Sequence, residues 1–306
     1  RRTYDRSTSE TNMTEIDTHR LPLPAPFASG PAATQIQRDV IIVSGPDTEA
    51  FLQGQLSQDC AALRVGSSAW SLLLQPQGKI DAWLRVSRTD DDRFLLDLDA
   101  GAGSAALERL QRFKLRTACE LALETWTVVA VRGRGSAALD VVDAPGLEVA
   151  APSEWPGVDG VDLRGRHVEG PPGLETAGPS ALESLRILSG VPAMGAELEA
   201  RTIPAEAGIV ERSVSFTKGC YTGQELVARI DSRGGNVPRR LRGIVSRSDD
   251  ALPVGAELVV GGEPLGAITS AEGAVGLGYV KRSVDTLPAV AHVAGAEVAI
   301  CDLPMI

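Results

Sequence analysis

The chain has 306 residues, 43% of them hydrophobic and 23% charged, the balance of a folded globular protein with material for two or three domains. Its formal net charge of -10 excludes generic nucleic-acid binding through a basic surface, and no stretch is apolar for long enough to predict a membrane span. The cysteines Cys60, Cys119, Cys220 and Cys301 stand far apart without C-x-x-C spacing, which argues against a zinc site, a redox dithiol and a disulfide framework; the expected compartment is the reducing cytoplasm.

Residues 1–20 are polar, with Met13 a candidate translation start and no hydrophobic run behind Arg1-Arg2. A disordered tail is expected over 1–30, with Leu21-Pro22-Leu23-Pro24-Ala25-Pro26 as an extended lead-in. Val40-Ile41-Ile42-Val43 predicts a buried strand, and Ser44-Gly45-Pro46-Asp47 a helix start with Pro46 at the first helical position. Ala50, Phe51, Leu52 and Leu56 give that helix its apolar face. Strands follow at 70–74, at 80–86 after the turn Gln75-Pro76-Gln77-Gly78, and at 94–98. A helix is predicted from about 102 to 113 and a strand over 127–131. Hairpin-paired strands with interleaved helices predict an antiparallel α+β sheet for a first subdomain over 31–142. Residues 143–180 are rich in Gly, Pro and Asp, and Pro179-Ser180 opens a helix ended by Gly190 and Pro192, inside a second subdomain over 143–240. From 241 to 306 short alternating strands with glycine turns predict a small β-barrel.

The most informative stretch is Lys218-Gly219-Cys220-Tyr221-Thr222-Gly223-Gln224-Glu225. Thr222 and Glu225 fit a T-x-x-E capping box before the apolar run Leu226-Val227-Ala228. A thiol at that position meets the positive end of a helix dipole, and Lys218 and Arg212 supply nearby positive charge that favours a thiolate. The competing reading makes Cys220 a small buried hydrophobe. Downstream, Arg229, Arg233, Arg239, Arg240 and Arg242 crowd together around Gly234-Gly235; they read either as a wall for an anion or as a solvated basic face. Arg229, four residues after Glu225, is also in helical register to pair with it. His19, His167 and His292 neighbour no candidate nucleophile in sequence, and Gly101-Ala102-Gly103 and Gly133-Arg134-Gly135 lack the spacing of a dinucleotide fingerprint.

The run KGCYTGQELVAR from Lys218 to Arg229 resembles the signature of YgfZ-type proteins, relatives of the glycine-cleavage T-protein, an aminomethyltransferase. The resemblance extends from about residue 36 through Phe51–Asp59 (FLQGQLSQD), Gly78-Lys79, Ile203-Pro204-Ala205-Glu206 and Gly266-Ala267-Ile268-Thr269-Ser270. It implies an α+β, GcvT-like fold of three subdomains around a central folate channel, with a small C-terminal β-barrel. It further implies a tetrahydrofolate-binding accessory protein supporting the assembly or repair of iron–sulfur enzymes, tRNA-modifying ones included. The cofactor would be tetrahydrofolate or a one-carbon derivative. The partners would be iron–sulfur enzymes or cluster-assembly proteins, with no metal held in the chain, no direct nucleic-acid contact and no membrane. By the same resemblance Cys220 is the candidate reactive thiol assisted by Lys218, and Gly219, Tyr221, Gly223, Gln224, Glu225 and Arg229 are the cofactor-binding residues. The alternatives are an aminomethyltransferase of the glycine-cleavage type, or a folate sensor or scaffold without turnover. T-proteins carry an Asp-Asp pair on the strand after the glycine turn; here that pair would fall at Ala82 and Trp83, with Asp81 one residue early, which weighs against the transferase.

Overall fold

The structure is a computed structural model and describes residues 20–306 except 142, 285, 286 and 288. Most of the expected polar tail, with Met13 and His19, lies outside the described residues. Residues 20–30 do not continue that tail. Phe27 is fully buried, and the Leu21 N–H donates to the Met305 carbonyl at 2.6 Å. Residues 21–24 carry no regular structure and 25–29 turn, so the expected extended lead-in stops before Ala25; Leu21 joins the cluster around Met305, and Leu23 the one around Phe27.

The first half of the chain runs β1 (Ala32–Ser44), α1 (Thr48–Gln55), β2 (Ser68–Leu74), β3 (Ile80–Asp90), β4 (Arg93–Asp99), α2 (Gly103–Phe113) and β5 (Glu120–Arg132). Then come β6 (Val149–Pro152), β7 (Gly160–Gly165), the short β8 (Glu175–Thr176), α3 (Pro179–Leu188), α4 (Val210–Ser213) and α5 (Gln224–Ser232). Pro179 opens α3 at its first turn. Pro46 does not do this for α1: the cap is Asp47, and its carboxylate accepts the Ala118 N–H at 2.7 Å rather than capping the helix. That tie to the start of β5 displaces the first helical residue to Thr48.

Strands β2-β3-β4-β1-β5-β7-β6 form one sheet in that order, antiparallel throughout, with β8 pairing parallel to the start of β1. Strands β6 and β7, from beyond residue 142, therefore belong to the same sheet as β1 to β5. One face is apolar. Ile41, Val43, Ala82, Leu84, Val86, Phe94, Leu96 and Leu98 alternate inward along their strands and are covered by Phe51 and Leu52 of α1 and Ala106 and Leu110 of α2. The C-terminal part is a closed barrel, β10 (Glu257–Val260), β11 (Glu263–Glu272), β12 (Val275–Lys281), β9 (Arg239–Ser246), β14 (Ala296–Cys301) and β13 (Ala289–Val293) in that spatial order. Closure removes the free edges that six short strands would otherwise expose.

The opposite face of the sheet buries charge. Asp97 of β4 accepts Nε of Arg38 at 2.7 Å and Nε of Arg164 at 2.5 Å. Asp162 of β7 accepts Nη2 of Arg132 at 2.7 Å and Nη2 of Arg164 at 3.3 Å. Arg38 also reaches Asp99, so the ladder crosses β4, β1, β5 and β7. Burial alone would raise the Asp162 carboxyl, but Arg132, Arg164 and Arg85 hold it below the ordinary carboxylate range. Replacing Asp162 by Ala leaves buried Arg132 without a carboxylate, while Arg164 keeps Asp97, and breaking such a buried pair typically costs about 3–5 kcal/mol. Denaturant titration of Asp162→Ala is expected to show a loss of that size. Because the folded carboxyl titrates below its unfolded value of about 3.9, its contribution is complete above that value. It is lost as pH falls further, and the difference between wild type and variant is expected to shrink there.

Candidate functional site

The signature forms a strap from Ser215 to Gly223, laid across the C-terminal end of α1. The last carbonyls of a helix have no partner within it. Lys218, only 8% exposed, supplies one: its ammonium donates to the carbonyls of Gln53 (2.7 Å), Leu56 (2.7 Å) and Gln58 (3.0 Å). A lysine has three N–H donors, and all three are committed. The Ser215 N–H to the Ser57 carbonyl (3.0 Å) and the Thr222 N–H to the Gly54 carbonyl (3.3 Å) pin the strap on either side. Lys218 thus anchors the loop. The groups that act on its charge are Cys60 and Asp59, which partly offset the downward push of burial. Cys60 itself is fully buried, and burial pushes its thiol up to about 12.

The two glycine motifs of the sequence meet here. Gly223 has φ of 83° and caps α5; a Cβ on it would lie 2.5 Å from the Gln75 carbonyl oxygen. A Cβ on Gly78, at φ 74°, would lie 2.6 Å from Cβ of Leu226. The turn after β2 and the start of α5 interlock at a distance that only glycine allows. This overturns the predicted capping box. α5 begins at Gln224 with no side-chain cap bond, so Thr222 sits one residue before the cap and Glu225 falls in the first turn without a threonine to reciprocate.

Cys220 stands three residues before that cap, outside the first turn of α5. It is exposed, while Cys60, Cys119 and Cys301 are buried, and all four are free. Gly219 beside it has open space on its Cβ side. Tyr221 turns the other way, 7% exposed, into an apolar cluster with Trp70, Trp83 and Val227. Its phenol is pushed up to about 12 by burial, and the Lys218 ammonium lies 5.1 Å from its ring. Trp70 and Trp83 stack with centroids 4.2 Å apart, and Trp83 Nε1 donates to Ser213 Oγ at 2.9 Å. Gln224 is half-buried, and Glu225 and Arg229 are exposed. Among the described residues neither Glu225 nor Arg229 makes an ion pair, so the predicted local bridge does not form.

The strand position that bears on transfer chemistry is altered by a bulge. Leu73 pairs with Ala82 but Leu74 with Ile80, which leaves Asp81 as the extra residue. Asp81 turns towards α2 and pairs with Arg109 at 3.2 Å. Ala82 packs with the helix-covered core and Trp83 with Tyr221 on the other face. The arginine cluster is dispersed: Arg239 pairs with Glu206 at 3.2 Å and Arg242 with Asp302 at 2.5 Å, while Arg240 donates to the Gly235 carbonyl at 2.9 Å.

Two cavities of about 200 Å³ each adjoin one another, the first beside α5 and the second between α4, β9 and the C-terminal segment. The first is mainly apolar, with Ile203, Val210, Val227 and Ile230 in its wall and Glu211 and Asp231 beside them. The second is polar, with Ser189, Arg212, Arg240 and Arg242. Ala205, Gly208 and Arg240 line both. Of the signature, Val227 reaches the first cavity; Gly219, Tyr221, Gly223, Gln224, Glu225 and Arg229 line neither. The acids of the first cavity, Glu211 and Asp231, carried no motif; Arg240 and Arg242 of the second belong to the basic run read as a wall for an anion, and the Ile203–Glu206 segment also lies in these walls. Among the described residues no group of three or more His, Cys, Asp or Glu side chains is arranged to hold a metal ion.

No family model matches the chain. It is 27% identical over 217 residues to an iron–sulfur cluster assembly factor IBA57 homolog, mitochondrial, of Neurospora crassa, a match covering 64% of this chain and 49% of that protein. It is 26% identical over 296 residues to an aminomethyltransferase of Streptomyces avermitilis, covering 85% of this chain and 79% of that one. The crystal structure of the glycine cleavage system aminomethyltransferase T of Bartonella henselae superposes with a TM-score of 0.75 at 21% identity, over 94% of this chain and 88% of that one. The fold is therefore the α+β, GcvT-like one, and the chain spans about half the length of the fungal assembly factor it matches.

Two outcomes test the strap. Lys218→Ala removes three charge-assisted bonds and leaves buried carbonyls unpaired, and calorimetry is expected to show destabilisation by about 2–4 kcal/mol, whereas exposed Cys220→Ala stays within about 0.5 kcal/mol. A thiol-specific chromophoric disulfide is expected to titrate one cysteine quickly in the folded protein and all four after denaturation.

Proposed function

We propose that this chain is a folate-binding accessory protein that supports the assembly or repair of iron–sulfur enzymes, including tRNA-modifying ones, in the cytoplasm, with Cys220 as its reacting group. The observation that carries the reading is the contrast among the cysteines. Three are buried, while the fourth is presented on an exposed loop whose anchor, Lys218, is locked to the end of α1. A thiol held at the surface by a rigid strap is placed to meet a macromolecular partner rather than a substrate enclosed in a cleft. The similarity to assembly factors points the same way, and the partners it suggests are iron–sulfur enzymes or cluster-assembly proteins.

Tetrahydrofolate, or a one-carbon derivative, is the cofactor proposed from the likeness to aminomethyltransferases. The apolar cavity under α5 has a lining suited to a flat heterocycle, and the carboxylates of Glu211 and Asp231 offer acceptors to the N–H groups of an aminopyrimidine edge. Bound there, the folate would supply one-carbon carrying capacity; this chain's residues would bind and orient it. The transferase reading is supported by the match to an aminomethyltransferase over 85% of the chain. Ala82 and Trp83 at the acidic-pair positions, and Asp81 already paired with Arg109, weigh against it.

In a strain lacking the protein, wild type is expected to restore iron–sulfur enzyme activity and Cys220→Ala to fail while accumulating to the same level; full rescue by the variant would remove the cysteine from the mechanism. Fluorescence titration with reduced folates is expected to give unchanged affinity for Cys220→Ala. For Glu211→Gln it is expected to weaken by about tenfold, the loss of one charge-assisted hydrogen bond. Release of methylenetetrahydrofolate from an aminomethylated carrier protein would establish the transferase instead.

A further inference from the structure

The polar cavity is built from pieces of chain far apart in sequence. Ser189 and Gly190 follow α3, Arg212 lies in α4, Arg240 and Arg242 belong to β9, and Asp302 to Pro304 follow the last strand. It therefore lies where the sheet body meets the barrel. Two of its polar groups are orphaned. Ser189 is 1% exposed, and its hydroxyl has no hydrogen-bond partner. Nη1 of Arg212 is buried and equally unpartnered. Among the described residues Arg212 forms no hydrogen bond or ion pair; it rests 5.8 Å from the centre of the Trp83 ring. A largely buried arginine is ordinarily held by a carboxylate or by carbonyls, because an unpaired buried charge is expensive.

The carboxylates in the wall do not fill that role. Glu206 is engaged by Arg239 at 3.2 Å, and Asp302 by Arg242 at 2.5 Å. Arg240 donates through one nitrogen to the Gly235 carbonyl, and its other donors remain available. Burial lowers the affinity of Arg212 for its proton, and Glu154 and Glu211 oppose this only in part. The cavity thus presents donors from two arginines and one serine, and its acids are already neutralised.

We propose that this cavity binds an oxyanion, with Arg212 and Arg240 donating guanidinium N–H groups and Ser189 its hydroxyl. Paired guanidinium groups and a hydroxyl match the oxygen edges of a phosphate or a carboxylate. The anion is either free phosphate or the carboxylate of an organic acid whose apolar part enters the neighbouring cavity, with which this one shares Ala205, Gly208 and Arg240. The proposal does not depend on folate occupying that neighbour. Because the donors come from the end of α3, from α4 and from the barrel, an anion bound here ties the barrel to the sheet body and favours the folded state by mass action.

Calorimetric titration and thermal unfolding with inorganic phosphate in one arm and glutarate in the other test this. The exposed Arg166, which pairs with Glu124 and Glu148, serves as control through Arg166→Gln. At least one probe is expected to bind and to raise the melting temperature. Arg212→Gln is expected to weaken it about tenfold or more, Ser189→Ala several-fold, and the control not at all. Preference for phosphate identifies a free oxyanion, and preference for glutarate an organic acid. In anion-free buffer Arg212→Gln is expected to melt within a few degrees of wild type, since it loses no hydrogen bond or ion pair and only the contact with the Trp83 ring. Failure of both probes to bind at millimolar concentration overturns the proposal, as does binding that survives both Arg212→Gln and Ser189→Ala. Should Arg212→Gln fail to fold, Arg240→Gln and Ser189→Ala carry the comparison, and unchanged binding in both overturns it equally.

Discussion

Three hydrogen bonds from one ammonium fix the geometry of the candidate site. Lys218 closes the end of α1 by binding the carbonyls of Gln53, Leu56 and Gln58, and the strap that carries it has no comparable anchor elsewhere among the described residues. With the strap held, Tyr221 is driven into the Trp70–Trp83 cluster, Gly223 meets the turn at Gln75, and α5 leaves at the angle that makes its Val227 and Ile230 one wall of the apolar cavity. What the strap leaves outside is Cys220. The lysine two residues before the thiol is thus committed to backbone, and its service to Cys220 is positional.

Much of this was legible in the residues, for identifiable reasons. Alternation along β1 to β5 and the short glycine-punctuated strands from residue 241 are local signals, and they point to the antiparallel sheet and the barrel, which begins with β9 two residues earlier. Pro179 opens α3 because proline suits the first turn of a helix. What escaped depends on contacts between distant segments. Thr222 and Glu225 have capping-box spacing, but the Thr222 backbone is held by Gly54 and the helix start moves to Gly223. Alternation sets Asp81 against its neighbours until a bulge removes it from the ladder. The basic run from Arg229 to Arg242 looks like one patch in sequence; folding gives Arg239 to Glu206 and Arg242 to Asp302 and leaves Arg240 at the cavities.

The charged face of the sheet follows a different logic. Removing several guanidinium and carboxylate groups from water is costly, and an apolar replacement of the same shape is often as stable. The ladder from Arg38 through Asp97 and Arg164 to Asp162 and Arg132 therefore argues for register more than for strength. A slip of one residue in β1, β5 or β7 would carry a charge to the apolar face under α1 and α2. That rigidity is what allows the turn after β2 to serve as a fixed seat for the signature strap.

Arg212 departs from this economy. Every arginine of the ladder is paired with a carboxylate, whereas Arg212 lies half-buried beside Trp83 and, among the described residues, forms no ion pair, with Glu154 and Glu211 acting on it only from a distance. It also lies on α4, the element between the strap and the segment that lines both cavities. In a chain whose acids outnumber its bases, leaving one half-buried arginine without an ion pair is not forced by composition; Arg38 and Arg164 show that the fold readily supplies partners. The missing counter-charge is most simply one that arrives from solution. If it does, occupancy of the polar cavity and the setting of the strap are linked through α4, so that the exposure of Cys220 and the seating of the barrel become two readings of the same local packing.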